Sequence, residues 1–280
     1  MALISSLLIR RNSNHPPLFL GGWLRYLMLP LWVLTVLFIL SYGTGLDETL
    51  AAIWFELQGK QWSLKTYWLT ETVLHQTVRQ LNLCVLLLMI VYWLVKSFLH
   101  PQTAILRALG VLLLSIICSV ATIALLKRLI PMECPWDLQA FGGTQTWFGL
   151  FSDRPSSMRS NQCFPAGHAS IGYSWLAIYF FFKVLRPRLA LTGLLCSIGV
   201  GLILGFTQQL RGAHFLSHDI ATAAICWTVA VVVFRSFYPW HELQTSADFD
   251  GANLAHSSVS AAPSAAIICP HHASKEYSDV

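Results

Sequence analysis

The stretch LALTGLLCSIGVGLILGFTQQL, residues 189–210, contains no Asp, Glu, Lys or Arg. A run of this length and apolarity is typical of a helix that crosses a membrane, which needs about 20 predominantly apolar residues. A polar segment with two histidines, RGAHFLSHD, follows in residues 211–219. The sequence therefore predicts a membrane helix that ends at a group of residues able to do chemistry.

The rest of the chain repeats this pattern of long apolar runs between polar segments. Of its 280 residues, 55% are hydrophobic and 11% are charged, whereas about 25% of the residues of a typical soluble domain are charged. We therefore predict an all-α fold, an integral membrane bundle of six transmembrane helices. The predicted spans lie at about 24–42, 80–97, 105–126, 169–186, 189–207 and 217–237.

Basic residues mark one side of this bundle. They lie before the first span, in two short loops between later spans, and after the last span, in segments that hold almost no acidic residues. They are Arg10, Arg11, Arg25, Lys96, Arg107, Lys183, Arg186, Arg188 and Arg235. The positive-inside rule makes these segments cytoplasmic. Both termini are then expected in the cytoplasm.

The apolar runs, the basic segments and the composition together divide the chain into three parts. We expect a cytoplasmic N-terminal segment at 1–23, a membrane domain at 24–238, and a disordered cytoplasmic tail at 239–280, which is poor in large apolar residues. The outer-side loops are predicted at 43–79, 127–168 and 208–216. The first of these loops is rich in aromatic residues, which favours an interfacial aromatic belt; a partly helical cap is the alternative.

Three separate segments with polar and turn-forming residues fall on this outer side. They are KRLIPMECP at 127–135, PAGH at 165–168, and QQLRGAHFLSHD at 208–219. Each abuts a predicted span, so all three are expected at the same membrane depth. We interpret them as one candidate site for a phosphate group.

Two histidines of the third segment suit nucleophilic chemistry. A neutral His214 can attack phosphorus if a second group orients its ring and stabilises the imidazolium that forms. His218 lies four residues on, on the same face of a helix, and Asp219 is adjacent, so either residue could be the orienting group. The alternative is a pair of interfacial histidines that only hydrogen-bond helix ends.

The other two segments supply an acid and cations. His168 could protonate a departing alkoxide, and Gly167 before it permits close approach of the backbone to a ligand at a helix N-terminus that favours anions. Lys127 and its neighbour Arg128 could bind phosphate oxygens or simply reach the membrane interface. Arg211 is a stronger candidate for a phosphate clamp, because guanidinium pairs bidentately with phosphate.

The three segments together resemble the signature of the type-2 phosphatidic acid phosphatase superfamily, whose parts are K-x6-RP, PSGH and SR-x5-H-x3-D. Lys127 begins a K-x6-CP in this sequence, PAGH ends at His168, and the third part places His214 in register. The resemblance covers roughly residues 105–237 and includes the order of the segments and the six-span layout.

This resemblance implies a role for each matching residue. His214 is implied to be the nucleophile that forms a phosphohistidine, His168 the group that protonates the leaving oxygen, and Lys127 a ligand of the phosphate oxygens. The implied protein is a metal-independent lipid phosphatase or phosphotransferase without a cofactor, in a bacterial inner membrane with its active site facing the periplasm. Its implied partners are a membrane lipid phosphate and the bilayer, and no nucleic acid.

The sequence departs from the signature at three positions. Cys134 and Gln208 stand where the family has Arg, and His218 stands where it has the orienting Asp. We expect Arg211 to supply the missing cation, and His218 or Asp219 to orient the nucleophile. The alternative is a catalytically inactive protein of the same fold that binds or moves lipid. A small transporter is disfavoured, because no charged residue lies in the middle of a predicted span.

Two of the seven cysteines differ from the others. Cys134 and Cys163 are predicted outside the membrane, each beside a motif, in a compartment that permits disulfides. A bond between them would join the Lys127 segment to the His168 turn. The alternative is two free thiols.

Overall fold

The computed structural model describes residues 18–100, 103–150, 152 and 161–239. Within these ranges the chain is helical, and its only β-type pairings are isolated bridges, Met132 with Gln162 and Leu138 with Gln145. Most of the predicted cytoplasmic N-terminal segment, and the predicted tail from residue 240 onward, lie outside the described residues. All-α architecture agrees with the sequence prediction.

Seven described helices form the bundle. They are α1 (Gly21–Gly43), α2 (Leu46–Leu57), α3 (Val78–Leu99), α4 (Ala104–Leu129), α5 (Ser170–Leu185), α6 (Pro187–Leu210) and α7 (Leu216–Phe237). A π-helical segment, Leu69–Thr77, leads directly into α3. This "π-helical segment" and α2 occupy the stretch between α1 and α3 that the sequence analysis treats as a loop.

Five helices of the described chain are long and apolar enough to cross a membrane: α1, the helical stretch Ser63–Leu99 that contains α3, and α4, α6 and α7. The span predicted at 169–186 is α5, which is shorter and contains a 3₁₀ turn at Ser174–Ala177. The structure therefore supports a helical membrane bundle without confirming six spans.

The core of the bundle is built around α7. Helices α1, α4 and α5 pack against it, and side chains such as Ile116, Phe180 and Phe234 are completely buried there. In contrast, α3 presents large apolar side chains outward, for example Leu88 and Phe98 with 70% and 92% exposure. An apolar outer surface is what a helix in contact with lipid requires.

Helices α5 and α6 approach each other closely through glycines. A Cβ added to Gly201 would overlap the ring of Tyr173, and one added to Gly172 would overlap the backbone of Gly201. Small residues permit this kind of contact between membrane helices without any hydrophobic driving force. The crossing holds the first turns of α5 against α6, next to the three motif segments.

The end of α6 directs the chain toward the site. Ala213 N–H bonds the Gln208 carbonyl at 2.8 Å and Gly212 N–H bonds the Gln209 carbonyl at 2.9 Å, which is the Schellman arrangement. Gly212 takes the left-handed conformation that this motif requires, with a φ of 71°. The turn stops α6 and places His214 before the first residue of α7.

The start of α7 is fixed by a residue from another helix. Asp47 of α2 accepts the backbone N–H of Ser217 at 3.0 Å and the hydroxyl of Ser41 at 2.6 Å. It thereby satisfies one of the N–H groups that a helix N-terminus leaves unpaired. Because Asp47 is buried, this bond locks α2 over the beginning of α7.

A second, smaller apolar cluster covers the same end of the bundle. Its buried residues are Ala51, Leu138, Phe141 and Phe215, and Phe55, Trp62 and Trp147 pack around them. These residues join α2 and the loop after α4 to the turn that carries His214. Phe55 and Trp62 thus form part of a cap, as the partly helical alternative predicts. Tyr67 and Trp68 of the same stretch are exposed, which is compatible with the predicted aromatic belt.

Candidate active site

The three motif segments meet at one end of the bundle. Lys127 lies in the last turn of α4, His168 precedes α5, and His214 lies between α6 and α7. Backbone hydrogen bonds connect the segments: Ala166 N–H to the His218 carbonyl at 3.3 Å, and Trp136 N–H to the Gly212 carbonyl at 2.9 Å. The convergence expected from the sequence is present.

A disulfide adds a covalent connection between two of these segments. Cys134 and Cys163, the pair singled out in the sequence, are bonded to each other, with their Cα atoms 5.3 Å apart. Asp137 lies near both sulfur atoms, but it accepts hydrogen bonds from Cys134 N–H and from the Asn161 amide. Sulfurs joined in a disulfide lack the thiolate that binds a metal, so this group is structural.

Lys127 points toward the PAGH turn. Its Nζ donates to the carbonyl oxygen of Pro165 at 3.2 Å. Gly167 leaves room for this side chain: a Cβ at that position would lie 3.4 Å from Lys127 Cδ. Gly167 was expected to permit close approach of the backbone to a ligand. In the structure it permits close packing of the Lys127 side chain. Arg128 is exposed at the end of the same helix.

His214 is buried beside this lysine. Burial lowers the pKa of His214 well below its usual value, and the positive charge of Lys127 lowers it further, whereas the backbone of Cys163 acts in the opposite direction. The ring is therefore neutral at pH 7, which is the form that can attack phosphorus. Its Nδ1 has no hydrogen-bond partner among the described residues.

His218 and Asp219, the two candidates for orienting His214, face different neighbours. The ring centroid of His218 lies 5.8 Å from that of His214, and the rings of Phe164 and Phe215 pack against it edge to face. Asp219 accepts a hydrogen bond of 2.6 Å from the Gln209 amide. Consecutive residues of a helix point about 100° apart, so His218 is directed toward His214 and Asp219 toward α6.

His168 is held by the π-helical segment. Its Nε2 donates to the carbonyl oxygen of Leu74 at 2.8 Å, and its ring centroid lies 4.6 Å from that of His75. Burial lowers the pKa of His168 to about 4, the hydrogen bond to Leu74 opposes this, and the charges of His75 and Arg79 lower the pKa further. In the free protein His168 is therefore neutral at pH 7.

Arg211 is engaged by protein groups. Its Nε and Nη2 donate to the Lys65 carbonyl at 3.2 and 3.0 Å, and its Nη1 donates to the Gln208 side chain at 3.1 Å. Nη2 also forms an ion pair with Glu71 of the π-helical segment. The guanidinium expected to clamp phosphate is thus bound to a carboxylate and a carbonyl instead.

Sequence reasoning did not identify the residues between α1 and α3 that reach this site. Glu71, Leu74 and His75 contact Arg211 or His168, and the indole of Trp62 packs on Gly212 so closely that a Cβ would overlap it. One signal was available, because Glu71 and His75 are four residues apart and share a helix face. The contact from Leu74 uses a main-chain carbonyl, which no sequence pattern reveals.

Comparison with known proteins shows which family this part of the chain is similar to. The family model described as the PAP2 superfamily matches residues 108–242, which include all three motif segments. No curated protein and no solved structure matches the chain. The match confirms the family resemblance, and together with the apolar helices it indicates a membrane protein of the phosphatase type.

Proposed function

We propose that this chain, whose residues 108–242 match the PAP2 superfamily model, is an integral membrane lipid phosphatase or phosphotransferase with His214 as nucleophile. It acts on a lipid phosphate or diphosphate through a phosphohistidine intermediate. The observation that carries the proposal is the convergence of Lys127, His168 and a buried, neutral His214 at one end of an apolar bundle. A lipid can keep its chains in the bilayer while its head group reaches that end.

The proposed reaction has two steps. In the first, a ring nitrogen of His214 forms a P–N bond while the P–O bond to the lipid breaks, and His168 gives a proton to the departing oxygen. Lys127 compensates the negative charge on the phosphoryl oxygens. In the second, water attacks phosphorus, His168 removes a proton from it, and the P–N bond breaks to release phosphate. An acceptor hydroxyl in place of water gives transfer, and neither step requires a metal.

His168 needs a proton before it can act as the acid. Burial is the main cause of its low pKa of about 4. A phosphate dianion beside the ring favours the imidazolium form, because an opposite charge within a few ångströms raises the pKa of a histidine. Substrate binding and protonation of His168 are therefore expected to occur together.

The proposal includes a location. From the basic segments we place the termini in the cytoplasm and the site at the extracytoplasmic face, and from the family resemblance we place the protein in a bacterial inner membrane. At that face the enzyme meets lipid phosphates of the outer leaflet.

A catalytically inactive lipid-binding or lipid-moving protein is the second candidate. It is favoured by the replacement of two signature arginines by Cys134 and Gln208 and by the engagement of Arg211 with Glu71. These changes remove cations from the phosphate site. Against it stands the retention of the nucleophile, the acid and Lys127.

Phosphate release by the purified protein separates these two candidates. Wild type and His214→Ala are compared in nanodiscs with EDTA present, on phosphatidate, a polyprenyl diphosphate and lipid A. His100→Ala is the matched control, because this histidine is exposed beyond the end of α3. Release that resists EDTA, persists in the control and disappears in His214→Ala supports the proposed function. Equal release by wild type and His214→Ala refutes the nucleophile assignment.

A further inference from the structure

Glu71 is an acidic residue that contacts the site from outside the family-matched region. Its Oε2 is paired with Arg211 and lies 3.7 Å from His75 Nδ1, and its Oε1 accepts from the Gln76 amide at 2.8 Å. The Arg211 side chain is 5% exposed and that of Glu71 is 28% exposed. The carboxylate is therefore half-buried and held in place from both sides.

Contacts through His75 place this carboxylate close to the proposed acid. The ring centroid of His168 lies 4.6 Å from that of His75, with the two rings tilted by 57°, and His75 Nδ1 lies 3.7 Å from Glu71 Oε2. One ring, that of His75, thus lies between the proposed acid and Glu71. Because the acid protonates the leaving oxygen, the leaving group departs beside the ring that Glu71 contacts.

The negative charge of Glu71 affects a neutral leaving group and an anionic leaving group differently. A phosphate monoester releases an alcohol, which is neutral once it is protonated. A diphosphate releases a lipid monophosphate, which is an anion. Glu71 neutralises Arg211, the cation that could otherwise hold such an anion, and like charges repel strongly where solvent is partly excluded.

Arg211 does not need Glu71 for its position. Two of its nitrogens bond the Lys65 carbonyl and a third bonds Gln208, so the guanidinium is anchored by neutral acceptors. The carboxylate adds a negative charge to an arginine that is already fixed. This argues for an electrostatic role beyond holding the fold together.

We propose that Glu71 is a specificity-determining residue that restricts the leaving group to an uncharged alcohol, so that the substrate class is a lipid phosphate monoester and not a diphosphate. This inference rests on the proposed function of the same site. Removal of the Glu71 charge leaves the positive charge of Arg211 uncompensated, so that it can attract the second phosphate. Glu71→Gln keeps the shape of the side chain and one of its two accepting oxygens, and it removes the charge.

Two substrates with the same chain test this inference: farnesyl phosphate and farnesyl diphosphate, assayed with wild type, Glu71→Gln and His214→Ala. We expect wild type to favour the monoester in kcat/KM by about tenfold or more, and Glu71→Gln to reduce this preference by about tenfold, chiefly by a gain on the diphosphate. Glu56→Gln is the matched control, because its carboxylate pairs with Lys60 at an exposed site and should not change the ratio.

The outcomes separate this inference from the function on which it rests. If wild type hydrolyses the diphosphate as well as the monoester, and both activities need His214, the proposed function stands and the role of Glu71 is refuted. An equal loss on both substrates in Glu71→Gln also refutes it, since a purely structural ion pair has that effect. Absence of His214-dependent release from either substrate refutes the proposed function.

A binding measurement keeps the inference testable without turnover. Thermal stabilisation of wild type and Glu71→Gln is measured with orthophosphate and with pyrophosphate. We expect Glu71→Gln to be stabilised by pyrophosphate at about tenfold lower concentration than wild type, with little change for orthophosphate. An unchanged response to pyrophosphate contradicts the role given to Glu71.

Discussion

The Nε2 of His168 lies 2.8 Å from the carbonyl oxygen of Leu74, and this bond joins the family-matched region to a helix outside it. Because a carbonyl oxygen only accepts hydrogen bonds, this bond sets the tautomer of neutral His168. The ring proton is on Nε2, and Nδ1 carries no proton. The π-helical segment is therefore part of the candidate site. Its residue His75 also places a titratable ring against His168.

Replacement of His75 by alanine should shift the pH dependence of the reaction. The pKa of His168 is lowered to about 4 mainly by burial and to a smaller degree by His75. Loss of His75 raises this pKa, so the protonated acid persists to higher pH and the optimum of kcat/KM moves upward. The pH profiles of wild type, His75→Ala and His100→Ala test this. A downward shift specific to His75→Ala contradicts it.

The two histidines proposed as catalytic, His168 and His214, should respond differently to the leaving group. His168→Ala is expected to reduce hydrolysis of an alkyl phosphate by about 10²–10⁴-fold and hydrolysis of a p-nitrophenyl phosphate much less, because a phenolate leaves without a proton. His214→Ala should abolish both reactions, since no P–N bond can form. Rates of the two variants on the two substrates provide the measurement. Equal losses for both leaving groups in His168→Ala exclude it as the acid.

Lys127 should be required to stabilise the negative charge that develops in the transition state, whereas its neighbour Arg128 should not. Lys127→Met is expected to lower kcat/KM by roughly 10²–10³-fold, a loss typical of removing one donor to a developing oxyanion. Arg128→Met is the matched control, because Arg128 is exposed on the same helix. Steady-state kinetics of both variants decide the matter. A comparable loss in Arg128→Met assigns the effect to general surface charge.

The family-matched part of the site was predictable from sequence because it rests on spacing. Lys127, His168 and His214 each follow or precede an apolar run, and helix ends at one membrane depth bring such residues together. The engagement of Arg211 was not predictable, since its partners Glu71 and Lys65 come from a stretch with no motif. Three-dimensional packing, not local pattern, determines that contact.

The fold, like the site, was predictable from the sequence only in part. Apolar length predicted the long helices, but α5 fell short of a full span, and its 3₁₀ turn at Ser174–Ala177 has no sequence signal as clear as a proline. The aromatic residues Phe55 and Trp62 suggested an interface with lipid, and they pack on Phe141 instead. Aromatic side chains suit both environments, so composition alone does not distinguish them.

The crossing of α5 and α6 should be sensitive to one added methyl group at one position. Gly201→Ala places a Cβ into the ring of Tyr173, whereas Gly199→Ala meets open space on the same helix. We expect the first variant to lose stability by about 1–3 kcal/mol, which is typical of overpacking, and the second to resemble wild type. Thermal unfolding in detergent measures both. Equal melting temperatures for Gly201→Ala and wild type contradict this close contact.

The disulfide between Cys134 and Cys163 should stabilise the site by limiting the unfolded chain. It spans a sequence separation of 29 residues, and loss of a native disulfide typically costs about 2–5 kcal/mol. The variant Cys134→Ser/Cys163→Ser should therefore unfold at lower temperature and lose activity, because the Lys127 segment is no longer tied to the His168 turn. Cys196→Ser, an exposed free thiol, is the control. Alkylation followed by mass spectrometry gives an independent measurement: labelling of Cys134 and Cys163 without prior reduction is incompatible with the bond.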